Sequence, residues 1–229
     1  MTRGYIFDYG GTLDTGGRHW GKVIWQAYRQ AHVPVSEQQY REAYVHVERE
    51  LGKSGIILPH FTFLQTLDAK LRMQLDYLGE PSFHSALLSG LYEATCAETA
   101  RSREVLMSLG QLYPMALVSN FYGNLTTVVR EFGLDGLFQA IIDSAVVGIR
   151  KPDPAIFRLG IEALGLDVAD VTVVGDSMSN DILPAKMIGC RTVWLKGEGW
   201  TDEPIDETAP DLIITKTKDV ITTALALLF

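Results

Sequence analysis

The stretch Arg3-Gly4-Tyr5-Ile6-Phe7-Asp8-Tyr9-Gly10-Gly11-Thr12-Leu13-Asp14 decides the fold. Tyr5 to Phe7 read as a short buried strand, and Asp8 follows at its C-terminal end, the edge at which open parallel α/β sheets bind ligands. Gly10-Gly11 then lets the backbone turn tightly beside whatever the carboxylate holds. Taken alone, an aspartate before Gly-Gly-Thr also fits a strand closed by an Asx-type turn. The rest of the chain determines which reading applies.

Downstream of Arg101 the apolar run Pro114 to Val118 has the continuous character of a parallel strand buried on both faces. Similar runs recur at 140–142, 171–174, 192–195 and 212–214, and helical segments at 122–133, 154–164 and 179–189 separate most of them. A last helix is expected over 217–228. Alternating strand and helix implies a doubly wound, Rossmann-like parallel sheet with right-handed crossovers, to which residues 1–14 contribute the first strand.

Between these two parts the pattern is helical. Trp20, Val23, Ile24, Ala27 and Tyr28 fall on one face of a first helix. Ser36 and Gln39 form a capping box for a second, with Tyr40, Ala43, Tyr44, Val47 and Leu51 as its apolar stripe and Glu48 off that stripe. A third helix is expected over 61–78. A fourth, capped by Ser82, runs to about Thr99, with a separate core helix from 101 to Leu112. Residues 15–100 therefore read as a helical domain inserted into a core made of 1–14 and 101–229.

Four polar sites fall at strand ends or helix entrances: Asp8; Ser119-Asn120; Lys151, in Arg150-Lys151-Pro152-Asp153-Pro154; and Asp176 with Asp181, in Gly175-Asp176-Ser177-Met178-Ser179-Asn180-Asp181. In a parallel sheet the strand C-termini share one edge, so these groups can converge. Asp153 can cap and Pro154 can start the helix behind Lys151. A carboxylate can attack an anionic phosphoryl group only where cations neutralise both. Asp8 and Asp176 suit Mg²⁺, a hard ion with oxygen ligands, and Asp181 would hold one of its waters. Lys151 and the Ser119 hydroxyl would then serve the phosphoryl oxygens.

These four sites, in this order, resemble the motifs of the haloacid dehalogenase (HAD) superfamily, and Lys151-Pro152-Asp153-Pro154-Ala155-Ile156-Phe157 and Gly175-Asp176-Ser177 resemble it beyond the site residues. The position of the helical insertion resembles the four-helix caps of a subfamily rich in small-molecule phosphatases. The resemblance implies a nucleophilic Asp8, Mg²⁺ held by Asp8, Asp176 and the Gly10 carbonyl with Asp181 in support, and a small phosphorylated substrate. Gly10 departs from the pattern, since HAD phosphatases usually carry there an aspartate that acts as general acid and base. The departure implies a slowed phosphatase or other chemistry: a dehalogenase, a phosphonatase using a lysine such as Lys53 or Lys22, or a regulatory phosphate binder. His19, where the chain leaves the core, is a candidate to contact substrate and replace the missing acid, its unperturbed pKa near 6.5 suiting proton transfer; capping or packing is the other reading.

The 229 residues, 47% hydrophobic, suffice for one sizeable core or a core with a smaller lobe. A net charge of −8 without a basic cluster argues against nucleic acid and anionic membrane surfaces as partners. No signal-type or membrane-spanning run is present, so a cytoplasmic location is expected. Cys96 and Cys190 lack metal-ligand or redox spacing and read as small buried hydrophobes. Oligomeric state is not legible.

Overall fold

The structure is a computed structural model, and it describes residues 2–53, 55–201 and 205–226. Six parallel strands form its centre: β1 (Gly4–Phe7), β2 (Met115–Ser119), β3 (Ala140–Asp143), β4 (Val171–Gly175), β5 (Arg191–Leu195) and β6 (Leu212–Ile214). Their order is β3-β2-β1-β4-β5-β6, so the direction of winding reverses between β1 and β4. That reversal opens a crevice outside the carboxyl ends of the central strands. Tyr5 pairs with Met115 on one side and Thr172 on the other, which places Asp8, Ser119 and Gly175 at the same edge.

Side chains alternate across this sheet, as the two-residue period of a strand requires. Tyr5 and Phe7 join Leu117, Val174 and Leu195 in a core on one face. Ile6 joins Ala116, Val118 and Val173 on the other, where α7 (Ala155–Leu164) supplies Ile156, Phe157 and Ile161. Both faces are covered, and this is why the strands read as unbroken apolar runs.

Residues 15–114 contain no strand among the described residues. They form α1 (Trp20–Gln30), α2 (Glu37–Lys53), α3 (Phe63–Leu78) and α4 (His84–Gly110). The expected stripe of α2 is the buried one, and Ser36 with Gln39 forms the expected capping box, Ser36 N to Gln39 Oε1 being 2.9 Å. α3 starts at Phe63 because Thr62 and Gln65 make a reciprocal capping box.

Two helical expectations are corrected. The helices expected at 82–99 and 101–112 are one continuous helix, α4. Neither Gly nor Pro interrupts the chain between Ala97 and Leu109, and Ser102 is accommodated by donating to Leu13 O at 2.8 Å. The helix expected at 179–189 is a π-turn over Met178–Ile182 followed by the short α8 (Leu183–Met187). Pro184 lacks an N–H and crowds the carbonyl four residues back, so the chain widens before it. The remaining elements are α5 (Leu125–Glu131), the single turn α6 (Ser144–Val147) and α9 (Asp219–Ala226). The expected extension of α9 to 228 lies outside the described residues, in part. No helix among the described residues is long and apolar enough to cross a membrane.

Candidate active site

Asp8 leaves β1 with its backbone N–H donating to Val174 O at 3.0 Å, so it continues the ladder toward β4 while its side chain enters the crevice. Its Oδ1 accepts from Ser119 Oγ at 2.9 Å and from Lys151 Nζ at 2.6 Å. Lys151 Nζ also donates to Asp181 Oδ1 at 2.6 Å. Thr12 Oγ1 lies 3.1 Å from Asp8 Oδ2 and 2.9 Å from Asp176 Oδ1, and accepts from Asp176 N at 3.1 Å. The tight turn that brings Thr12 back depends on Gly11: its φ is +98°, and a Cβ there would fall 2.5 Å from the Asp176 carboxylate.

Ligand oxygens of Asp8, Asp176 and Asp181 all lie within 4.8 Å of one another. Three such carboxylates share one buried lysine, leaving an excess of negative charge in a poorly hydrated place. Burial, and then the charges of Asp8 and Asp181, push Asp176 well above the usual carboxylate range. Burial also raises Asp181, to about 6, against the lowering pull of Lys151. Burial alone would depress Lys151, but Asp181 and Asp8 outweigh it and hold the ammonium charged. An all-oxygen set with uncompensated charge fits a hard divalent cation of the size of Mg²⁺.

Asn120 spends both ends of its amide on the Lys151 backbone, Nδ2 donating to Lys151 O at 3.0 Å and Oδ1 accepting from Lys151 N at 2.9 Å. It holds the lysine's loop against β2 and also borders the cavity above the site. Gly10 borders the same cavity, and a Cβ at this position would meet nothing within 4 Å.

His19 caps α1, its Nδ1 accepting from Gly21 N at 3.0 Å, and its ring packs 5.1 Å from Trp200 and 6.0 Å from Tyr44. Burial lowers its pKa from 6.5 to about 4, against the raising pull of Glu48. It borders the cavity, but its environment is not the unperturbed one that the sequence reading assumed.

Several residues at the site escaped sequence reasoning. Asp14 accepts from Gly11 N at 2.7 Å and from Trp20 Nε1 at 2.8 Å, and burial raises its carboxyl to about 7 against those two donors. From the helices come Glu48 and Lys70, whose Nζ and Oε1 are 2.7 Å apart, while Tyr122 OH donates to Glu48 Oε2 at 2.7 Å. Lys70 carried a signal, because it falls on the buried stripe Phe63-Thr66-Leu67-Lys70-Leu71 of α3. Glu48 carried none, since it sits off the stripe of α2 and yet turns into the cavity. Lys22 and Lys53 do not border this cavity, and Lys53 is 70% exposed at the end of α2, 3.5 Å from Glu50.

The chain has relatives among known proteins. The haloacid dehalogenase-like hydrolase family matches residues 2–189. A glyceraldehyde 3-phosphate phosphatase of Pyrococcus abyssi is 28% identical over 163 residues, 69% of this chain and 66% of that protein. A phosphoglycolate phosphatase of Pectobacterium atrosepticum is 28% identical over 226 residues, 96% of this chain and 91% of that protein. Among the first curated relatives it matches, the chain spans 66%, 50% and 34% of their own lengths. The crystal structure of the HAD-hydrolase YfnB from Bacillus subtilis, bound to magnesium, has the same fold, with a TM-score of 0.59, 17% identity and coverage of 97% of this chain and 98% of that one. The family match runs over most of the chain's length and takes in the strand-end aspartate, the buried lysine and the acidic loop, and the chain belongs to the haloacid dehalogenase-like hydrolases.

Proposed function

We propose that the protein is a Mg²⁺-dependent phosphatase of a small phosphorylated metabolite, acting through a phosphoryl group carried on Asp8. The observation that carries this reading is the convergence of Asp8, Lys151, Asp176 and Asp181, with Lys151 Nζ 2.6 Å from both Asp8 and Asp181. Phosphatase relatives support the reaction class. Asp8, Asp176 and the Gly10 carbonyl would hold Mg²⁺, with Asp181 in support, and the ion would offset the charge of nucleophile and phosphoryl group.

The chain's own residues do the remainder. Ser119 and Lys151 fix the orientation of the Asp8 carboxylate through Oδ1. An Asp8 oxygen bonds to phosphorus while the ester P–O bond breaks and its electron pair leaves on the alcohol oxygen. Water then attacks phosphorus, releasing phosphate and restoring Asp8. Gly10 has no side chain to protonate the leaving oxygen, so its proton comes from solvent and poor leaving groups react slowly. General acid–base assistance is typically worth about 10²–10⁴-fold, so the enzyme favours acyl and aryl phosphates over alkyl ones.

Residues 15–100 are the cap and 1–14 with 101–229 the core in this reading, the cap covering the phosphoryl site and excluding water. A phosphonatase-like Schiff base has little support. The lysine at the cavity is Lys70, and although burial works against its charge, Glu48 outweighs it and raises the pKa. A protonated amine is not a nucleophile.

The test is a screen of phosphomonoesters, acyl phosphates, phosphonates and 2-haloacids, with Mg²⁺ and with chelator. Phosphate release that needs Mg²⁺ and disappears in Asp8→Asn is expected. Metal-independent halide release from a 2-haloacid would replace this reading with a dehalogenase.

A further inference from the structure

The cavity above the phosphoryl site measures about 150 Å³ and lies between the core edge at Gly10 and Asn120 and the helices α2 and α3. Its walls are largely aromatic, with Trp20, Tyr44, Phe63 and Phe121 among them. Its polar end is the ion pair of Glu48 and Lys70. Tyr122 completes that cluster, the Lys70 ammonium lying 5.3 Å from its ring centre. Both charged groups are largely withdrawn from solvent, with side-chain exposures of 10% for Lys70 and 29% for Glu48.

A buried ion pair is rarely a net source of stability, because desolvating two charges consumes most of their attraction. Here it has a second consequence. Lys70 is the only cation that borders the cavity among the described residues, and Glu48 cancels it at 2.7 Å. Burial works against the charge on both, but each outweighs it for the other: Lys70 lowers the Glu48 pKa and Glu48 raises that of Lys70. His19, lowered to about 4, adds no positive charge at neutral pH. Asp14, on the opposite wall, contributes a carboxyl. Lys151 is engaged by Asp8 and Asp181 beneath. The cavity thus carries a charge between zero and minus one while still offering N–H donors, since an ammonium has three and Lys70 has an ion-pair contact with Glu48.

We propose that this cavity receives an uncharged, hydroxyl-bearing leaving group, a triose or small polyol of about six heavy atoms, in preference to one bearing a carboxylate; about 150 Å³ is the volume a benzene-sized guest fills. The inference rests on the phosphatase reading above and names its substrate class. A hydroxyl accepts from Lys70 and donates to Glu48 without adding charge, and its C–H faces cover the aromatic walls. A carboxylate would bring a second anion to a lysine already neutralised, at the cost of its own desolvation.

Glycerol 3-phosphate and 3-phosphoglycerate test this directly, because they differ at one end, a hydroxymethyl group against a carboxylate. With Mg²⁺, wild-type kcat/KM for glycerol 3-phosphate is expected to exceed that for 3-phosphoglycerate by about tenfold or more, a difference of about 1.4 kcal/mol or more. Glu48→Gln frees the Lys70 charge and is expected to narrow or invert that ratio by about tenfold, and Glu48→Gln with Lys70→Met to return it toward wild type. A wild-type preference for 3-phosphoglycerate, or a ratio unmoved in a folded Glu48→Gln, overturns the inference while aryl phosphate turnover leaves the phosphatase reading intact. Absence of turnover on all three, p-nitrophenyl phosphate included, overturns both. Should Glu48→Gln fail to fold, the wild-type ratio decides alone.

Discussion

At the scale of single residues, Gly10 is the position where this chain departs from what its neighbours lead one to expect. A Cβ at this position would meet nothing within 4 Å, so Gly10→Asp starts its side chain in open space. Turnover of alkyl phosphates is expected to rise by at least about tenfold in that variant, and of aryl phosphates far less, because only the alkoxide needs a proton as it leaves. Equal gains on both, measured side by side, would mean that protonation does not limit the reaction. That Asp8, Ser119, Lys151, Asp176 and Asp181 meet at one sheet edge was legible in the sequence, because each sits at a strand end or helix entrance that the apolar runs delimit. Asp14 and Glu48 were not legible, since their direction depends on how the turn after Gly11 and the roll of α2 are set by packing across the crevice.

At the scale of elements, α1 ties the helices to the core through its N-terminus. His19 accepts from Gly21 N, and a Cβ on Gly21 would fall 2.1 Å from the Trp200 ring. Trp200 itself lies under the Arg41 guanidinium, 4.4 Å from the ring centre. The His19 pKa is lowered from 6.5 to about 4 in the fold, so between those values the unfolded chain binds more protons than the native one. The neutral imidazole's contribution is therefore complete above pH 6.5 and is lost as pH falls toward 4. Thermal unfolding of wild type against His19→Gln across that window is expected to show a steeper acid loss in wild type, of the order of 1–3 kcal/mol. Parallel curves would remove His19 from the account of acid stability. By the same packing, Gly21→Ala is expected to lower Tm by several degrees through displacement of Trp200, a change worth about 1–3 kcal/mol, and an unaltered Tm would show that the indole has room to move. Helix identity was legible from the 3.6-residue stripes. The continuity of α4 and the π-turn before Pro184 were not, because the first is the absence of a breaker and the second a backbone adjustment that leaves no stripe.

At the scale of the whole molecule, the sheet's reversal between β1 and β4 creates the crevice, and α2 and α3 border the cavity above it, with Glu48 and Lys70 paired in its lining. The parallel sheet followed from the order of strands and helices alone, whereas the side chains that α2 and α3 turn into the cavity did not. The crowding of three carboxylates makes stability responsive to a cation: millimolar Mg²⁺ is expected to raise Tm in wild type, in proportion to the logarithm of its concentration once above Kd, and chelation to reverse the gain. Asp176→Asn is expected to be more stable than wild type without metal and to respond weakly to it, and an equal response would place the ion elsewhere. In the proposed reaction Asp8 carries the phosphoryl group. Mixing the enzyme with Mg²⁺ and acetyl phosphate, quenching in acid during turnover and mapping the digested protein by tandem mass spectrometry tests it most directly. One phosphoryl group is expected on the peptide containing Asp8, at that side chain, and none in Asp8→Asn; steady phosphate release from wild type with Asp8 unmodified, or undiminished release from Asp8→Asn, would rule out a phosphoryl-Asp8 intermediate.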